Sequence, residues 1–175
     1  MSLRAEYIKK SMTDYSRITE IYKNSFPKVE QCPVWILRIM SHVKGTNSIA
    51  FYEENNLCGF SYFFANEKTV FILFLAVNDK IRSIGYGSRI LAWIREKYPD
   101  RVIFLDVEKP DENAENNYQR MKRIAFYERN GIFDTNRSFT YGGVTYEILS
   151  TDRKFSEEDY NENLISYFKF FKRKR

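Results

Sequence analysis

The residues Leu75-Ala-Val77, followed by Asn-Asp-Lys-Ile-Arg82-Ser-Ile-Gly85-Tyr-Gly87-Ser88, carry the most chemical information in this chain. Residue types change there in a telling order: an apolar run, a polar stretch, two glycines, then Ile90, Leu91, Ile94 and Tyr98 at helical spacing. A strand that feeds a loop and then a helix leaves the first helical amides without intrahelical acceptors, and the helix dipole favours negative charge at the same end. Such a place can hold a pyrophosphate. Gly85 and Gly87 let the backbone approach phosphates with no Cβ in the way, and Arg82 adds a fixed positive charge at the rim. Two familiar phosphate loops do not fit. The P-loop needs Gly-Lys-Ser/Thr, whereas Gly87 is followed by Ser88-Arg89. The dinucleotide fingerprint needs a third glycine where Ile90 stands, and residues 78–84 separate the strand from the first glycine, although Asp106 lies at a distance suited to a ribose contact.

Periodicity indicates the elements that must position this loop. Residues 5–10 alternate weakly as a first strand, and Thr13-Asp14 signals the cap of a helix to about Asn24, ended by Phe26-Pro27. A second helix from Pro33 carries Trp35, Ile36, Ile39 and Met40 and closes at Gly45-Thr46-Asn47. Residues 48–53, 57–65 and 69–77 are strand candidates with links too short for anything but an antiparallel meander. A helix over 87–98 then separates the third of these from a strand over 102–108, which predicts a parallel pair joined by a crossover. A helix over about 116–130 ends at Gly131, strands over 138–141 and 144–151 surround Gly142-Gly143, and Ser156 caps a last helix to about Phe171. Its stripe of Tyr160, Leu164, Tyr167 and Phe171 is expected to pack on the domain or on a second subunit, which leaves a homodimer open.

Composition narrows the class. A chain of 175 residues suits one domain, 1–175, with a core over about 5–150 and a C-terminal helical extension over 151–175. Aromatic residues make up 17% of it, so rings should build the core. Cys32 and Cys58 have neither metal-ligand nor redox-motif spacing, which fits a reduced, cytoplasmic setting and no metal. Residues 1–10 lack the apolar run of a signal peptide, and the apolar stretch 70–77 is far shorter than the roughly 20 residues that cross a bilayer, so no membrane partner is expected. The formal charge of +5 would admit nucleic acid, but its densest basic run is the chain end 169–175. The aromatic runs 60–64 and 71–74 put rings on both strand faces, which implies burial rather than a base-stacking platform.

Arg82-Ser-Ile-Gly85-Tyr-Gly87 after Leu75-Ala-Val77 resembles the R-x-x-G-x-G/A motif of GNAT N-acetyltransferases. Ala125-Phe-Tyr127-Glu-Arg-Asn-Gly131-Ile-Phe133 is similar to a later helix motif of that family, and the element order agrees up to about Ser150. The resemblance implies an α/β (α+β) GNAT fold, with a central mixed, mostly antiparallel sheet of about six to seven strands flanked by helices and an extra C-terminal helix. It implies transfer of the acetyl group of acetyl-CoA, the cosubstrate, to a primary amine of a small molecule or peptide by direct attack on the thioester. The alternative is a GNAT-fold protein that binds acyl-CoA without turnover.

The same resemblance assigns cofactor binding to Leu75, Val77, Arg82, Ser83, Ile84, Gly85, Tyr86, Gly87 and Ser88, the oxyanion donor to the Val77 amide, and the acid for the departing thiolate to Tyr127. Two departures follow from it. Arg120 and Arg123 stand where the family often has Asn and Ala, so Asn113, Asn116 or Asn117 is expected to supply the asparagine contact, with Asn117 in the binding set. Strand 69–77 carries no carboxylate, so the general base falls to Glu108 or to Asp106, two apart on one strand face, with Glu108 in the catalytic set. His42, far in sequence from the motifs, is read as structural. Acceptor recognition would come from residues 26–33 and 141–144, where Phe26, Glu30, nearby Trp35 and Tyr141 suit an amine with an apolar portion.

Overall fold

The structure is a computed structural model that describes residues 3–81, 85–156 and 158–162. Strands β1 (Arg4–Tyr7), β2 (Thr46–Glu53), β3 (Asn56–Ala65), β4 (Thr69–Val77), β5 (Val102–Glu108), β6 (Phe133–Tyr141) and β7 (Val144–Ser150) form one mixed sheet in the order β1-β2-β3-β4-β5-β7-β6. Helices α1 (Tyr15–Ser25), α2 (Val34–Met40), α3 (Tyr86–Lys97) and α4 (Asn117–Arg129) flank it, and residues 158–162 are helical. The parallel pairing expected across the crossover is present, with Thr69–Phe71 in register with Val102–Phe104. By internal contacts the chain divides into two units, Met1–Asn66 with Ile72–Pro99, and Glu67–Phe71 with Asp100–Arg175.

In the first unit the meander is buried on both faces, as its apolar runs require. Tyr22, Phe26, Phe60 and Phe74 meet tilted or edge to face with centroids 4.8–6.2 Å apart, the separation that aromatic quadrupoles favour. Asp14 does not cap α1 with its side chain, contrary to the Thr13-Asp14 signal. Its carboxylate instead accepts a hydrogen bond from the Tyr52 hydroxyl at 3.2 Å, so a contact from β2 takes over the acceptor.

A bulge in β3 sets the end of β4. Phe51 opposes Gly59 and Tyr52 opposes Leu57, which leaves Cys58 as the extra residue, and the Cys58 carbonyl accepts the Asn78 amide at 2.8 Å. A Cβ on Gly59 would lie 2.3 Å from the Ala76 carbonyl oxygen. Only glycine admits that approach. Gly59→Ala is therefore expected to cost about 2–3 kcal/mol and to lower the melting temperature by roughly 5–10 °C. A thermal melt checks this, and an unchanged midpoint would mean that β3 and β4 part freely there.

In the second unit Phe71 stacks on Phe104 at 4.9 Å, and Phe155 and Tyr160 cover the same ring at 4.6 and 5.8 Å. Ser156 does cap the last helix: its hydroxyl accepts the Asp159 amide at 3.0 Å while the Asp159 carboxylate accepts the Ser156 amide at 2.9 Å. Leu164, Tyr167 and Phe171 of the expected stripe lie outside the described residues. Strand β6 begins five residues before the expected start at 138. Its register slips between Asp134 and Ser138, and Asn136 takes φ 58°, an irregularity that hid the strand behind turn-forming residues.

Candidate active site

The two groups of candidate residues lie in different units. In the first, the Asn78 amide and the Ala76 carbonyl face β3. Backbone polar groups alternate along a strand, so those of Leu75 and Val77 turn to the opposite edge. The side chains alternate too: Ile72, Phe74 and Ala76 are buried, whereas Leu73, Leu75 and Val77 are half-buried. Arg17 of α1 fixes the strand end by donating to Asn78 at 2.8 Å and pairing with Asp79 at 2.9 Å.

A single 3₁₀ turn, Asp79–Ile81, follows. The sequence-assigned Arg82, Ser83 and Ile84 lie outside the described residues. Gly85 is the N-cap residue of α3 with φ 81°, in the left-handed region, and it provides no side-chain cap. A Cβ built on it meets nothing within 4 Å among the described residues. The helix therefore begins with amides that its cap leaves unsatisfied, beside open space that a side chain would fill, and this fits a bound pyrophosphate. Tyr86 is buried with its hydroxyl turned away onto Glu53 at 2.5 Å, and Arg89 pairs with the same carboxylate at 2.7 Å. Of Tyr86, then, the backbone amide is what the loop can offer. The Tyr86 hydrogen bond, followed by that of Arg89, holds the Glu53 carboxyl below the usual range, and the grip fixes the first turn of α3 from β2. No sequence spacing announces that pairing, since Glu53 and Tyr86 stand far apart in the chain.

In the second unit, Tyr127 sits in the last turn of α4. Gly131 takes φ 68°, and the Ile132 amide reaches back to the Tyr127 carbonyl at 3.0 Å, a glycine-terminated helix end that fixes the tyrosine's position. The ring is buried. Burial pushes its pKa up to about 12, with nearby Arg123 opposing the shift and Asp106 adding to it.

The two carboxylates of β5 have different surroundings. Glu108 is 4% exposed and is bound by Arg120 at 3.3 Å, Arg123 at 3.9 Å and the Asn116 amide at 3.1 Å. Its oxygens are committed to α4. Among the described residues Asp106 accepts one hydrogen bond, from the Tyr160 hydroxyl at 2.9 Å, and burial pushes its pKa up to about 6. Asn117 closes the preceding loop by accepting the Asp111 amide at 2.9 Å, whereas Asn116 bridges Glu108 and Arg120. The arginines that replace the family's Asn and Ala are thus the partners of Glu108. Of the expected acceptor residues, Phe26 is half-buried against Tyr22 and Phe74 while Trp35 and Tyr141 are exposed, and His42 is exposed beyond α2.

Among the described residues no helix is long and apolar enough to cross a membrane. No curated protein matches the chain by sequence. The fold is similar to that of a GNAT-family protein from Bacteroides thetaiotaomicron, with TM-score 0.75 and 22% identity over 94% of this chain and 95% of that one. It is also similar to a GNAT family acetyltransferase from Elizabethkingia anophelis solved with acetyl-CoA bound, with TM-score 0.57 and 10% identity over 86% and 98% of the two chains. The ribosomal-protein-S18-alanine N-acetyltransferase from Escherichia coli gives TM-score 0.60 and 14% identity over 90% and 97%. A model of the Acetyltransferase (GNAT) family matches residues 15–132. That span takes in α1, the β4 end, the Gly85 turn, the β5 carboxylates and the Tyr127 helix, and the chain belongs to the GNAT acetyltransferase family.

Proposed function

We propose that the chain moves the acetyl group of acetyl-CoA to a primary amine of a small molecule or peptide. The observation that carries this reading is the uncapped, left-handed Gly85 at the start of α3, with open space where a Cβ would stand. The Elizabethkingia relative with acetyl-CoA bound and the Escherichia coli relative named for a protein alanine support it. The two free cysteines fit a reducing, cytoplasmic setting.

Acetyl-CoA, when bound, supplies an acyl group activated as a thioester. The α3 amides from Tyr86 to Ser88, together with Arg82, Ser83 and Ile84, hold its pyrophosphate, and the backbone groups of Leu75 and Val77 hold its pantetheine. The Val77 amide donates to the oxyanion that develops during attack. Asp106 takes the proton of the acceptor amine: it is ionised at neutral pH, and one partner leaves it lone pairs to spare. Glu108, the other carboxylate of the pair, is bound by Arg120, Arg123 and Asn116 and serves to position α4.

Tyr127 acts on the leaving sulfur. With a pKa of about 12 it stays protonated, and full transfer to a thiolate whose pKa is about 8.5 is uphill by more than three units. It therefore works as a hydrogen-bond donor. Tyr127→Phe should keep acetyl-CoA binding and lower kcat about 10-fold, the low end for a bond to a charged group, by a similar factor from pH 7 to 9. Single-turnover kinetics read this, and a kcat within about twofold of wild type would reduce Tyr127 to a packing residue. Transfer itself is tested by amine-dependent thiol release.

A further inference from the structure

We infer that a polar pocket at the end of β5 receives a carboxylate of the acceptor, so that the preferred substrates are amines that also carry a carboxylate, with Arg120 as the specificity-determining residue. This rests on the acetyl-transfer reading above. The pocket has a volume of about 290 Å³ and is lined by Lys109, Asp111, Arg120, Gly143, Val144 and Thr145. At its floor the Arg120 side chain is only 12% exposed. Its Nε donates to Asn116 Oδ1 at 2.9 Å, Nη1 to the Lys109 carbonyl at 2.8 Å and Nη2 to Glu108 Oε1 at 3.3 Å. A guanidinium has five N–H groups, so among the described residues two remain after these bonds, held in place by a side chain that is gripped from three sides.

Charge bookkeeping favours an anion at this arginine. Glu108 is shared with Arg123, so the pair of guanidiniums outweighs the one carboxylate they hold. Lys109 adds an ammonium at the rim, loosely paired with Glu147 at 3.7 Å. On the same wall Asp111 spends Oδ1 on the Asn113 amide at 2.9 Å and is exposed, and its charge suits the ammonium end of the same ligand. Gly142 and Gly143 at the hairpin tip take φ 58° and 81° and contribute no side chains that would close the mouth.

An anionic group could come from the acceptor or from a phosphate of the cosubstrate, and the test separates the two. Thiol release is measured for common amino acids against their carboxamides, with wild type, Glu108→Gln, and the double variant Glu108→Gln/Arg120→Gln, which leaves no buried carboxylate unpaired. The expected result is a preference for the acids of about 10–100-fold in kcat/KM for wild type and Glu108→Gln, lost in the double variant. Equal use of acids and amides by wild type, or a preference that survives in the double variant, overturns the proposal. So does a double variant that loses only its discrimination between acetyl-CoA and its 3′-dephospho form, since the anion is then the cosubstrate's. If no amine is turned over, calorimetric titration of the same acids and amides in the presence of CoA decides the pocket by the same ratio, while the missing turnover counts against acetyl transfer alone.

Discussion

Asp106→Asn is expected to make the protein more stable at pH 8 and a far poorer catalyst. Its carboxyl is pushed up to about 6 by burial, so the folded state binds a proton more tightly than the unfolded state, where an aspartate titrates near 3.9. Stability linked to this group is fully present below about pH 4 and is lost as the pH rises through 6. Asparagine keeps an acceptor for the Tyr160 hydroxyl and has no charge to desolvate. The gain at pH 8 should be on the order of 2 kcal/mol, or roughly 4–8 °C, and should vanish near pH 4. Against that gain, removing a general base should lower kcat by about 10²–10⁴-fold and abolish the acid limb of kcat/KM near pH 6. Tyr160→Phe sharpens the assignment. The hydrogen bond it removes holds the Asp106 pKa down, so the limb should move above 6 instead of disappearing. A stabilised Asp106→Asn with unchanged kcat would assign the residue to packing alone.

Gly85→Val is expected to abolish the stabilisation that acetyl-CoA gives. At about 100 times the dissociation constant that stabilisation is about 2.7 kcal/mol, a melting shift of about 5–11 °C for a chain of this size. Valine is disfavoured at φ 81°, and its Cβ would enter the space left open above the α3 amides. Gly85→Ala separates the two causes. Without ligand its Cβ meets nothing within 4 Å among the described residues, so the unliganded variant should lose only the strain of the left-handed backbone, about 1–2 kcal/mol. Its ligand-induced shift should fall further than that strain explains. A full shift in both variants would move the pyrophosphate away from this turn.

Local chemistry explains what could be read from the sequence. The strand 102–108 was legible to the residue because Pro99-Asp100 breaks the helix just before it, and Gly131 marked the end of α4 because only a left-handed residue closes that turn. The start of β6 was not, since a strand with a slipped register around Asn136 reads as a turn. In the site, the Gly85 turn depends on neighbours in sequence and was visible. The surroundings that distinguish Glu108 from Asp106 depend on Arg120, Arg123 and Tyr160, which reach β5 only after folding. Arg120 and Arg123 stood out as departures from the family pattern without a stated partner. Gly59 carries a usable signal: a glycine inside a buried strand marks a bulge or a close backbone approach.

The most direct measurement is thiol release from acetyl-CoA by the purified chain, followed with and without each member of a panel of amines, amino acids, polyamines and peptide N-termini. The account predicts release that depends on at least one amine, saturates with it, and is accompanied by one acetylated amine per thiol. Acetyl-CoA that raises the melting temperature, with no amine-dependent thiol release anywhere in the panel, would contradict acetyl transfer to amines and leave a protein that only binds the thioester.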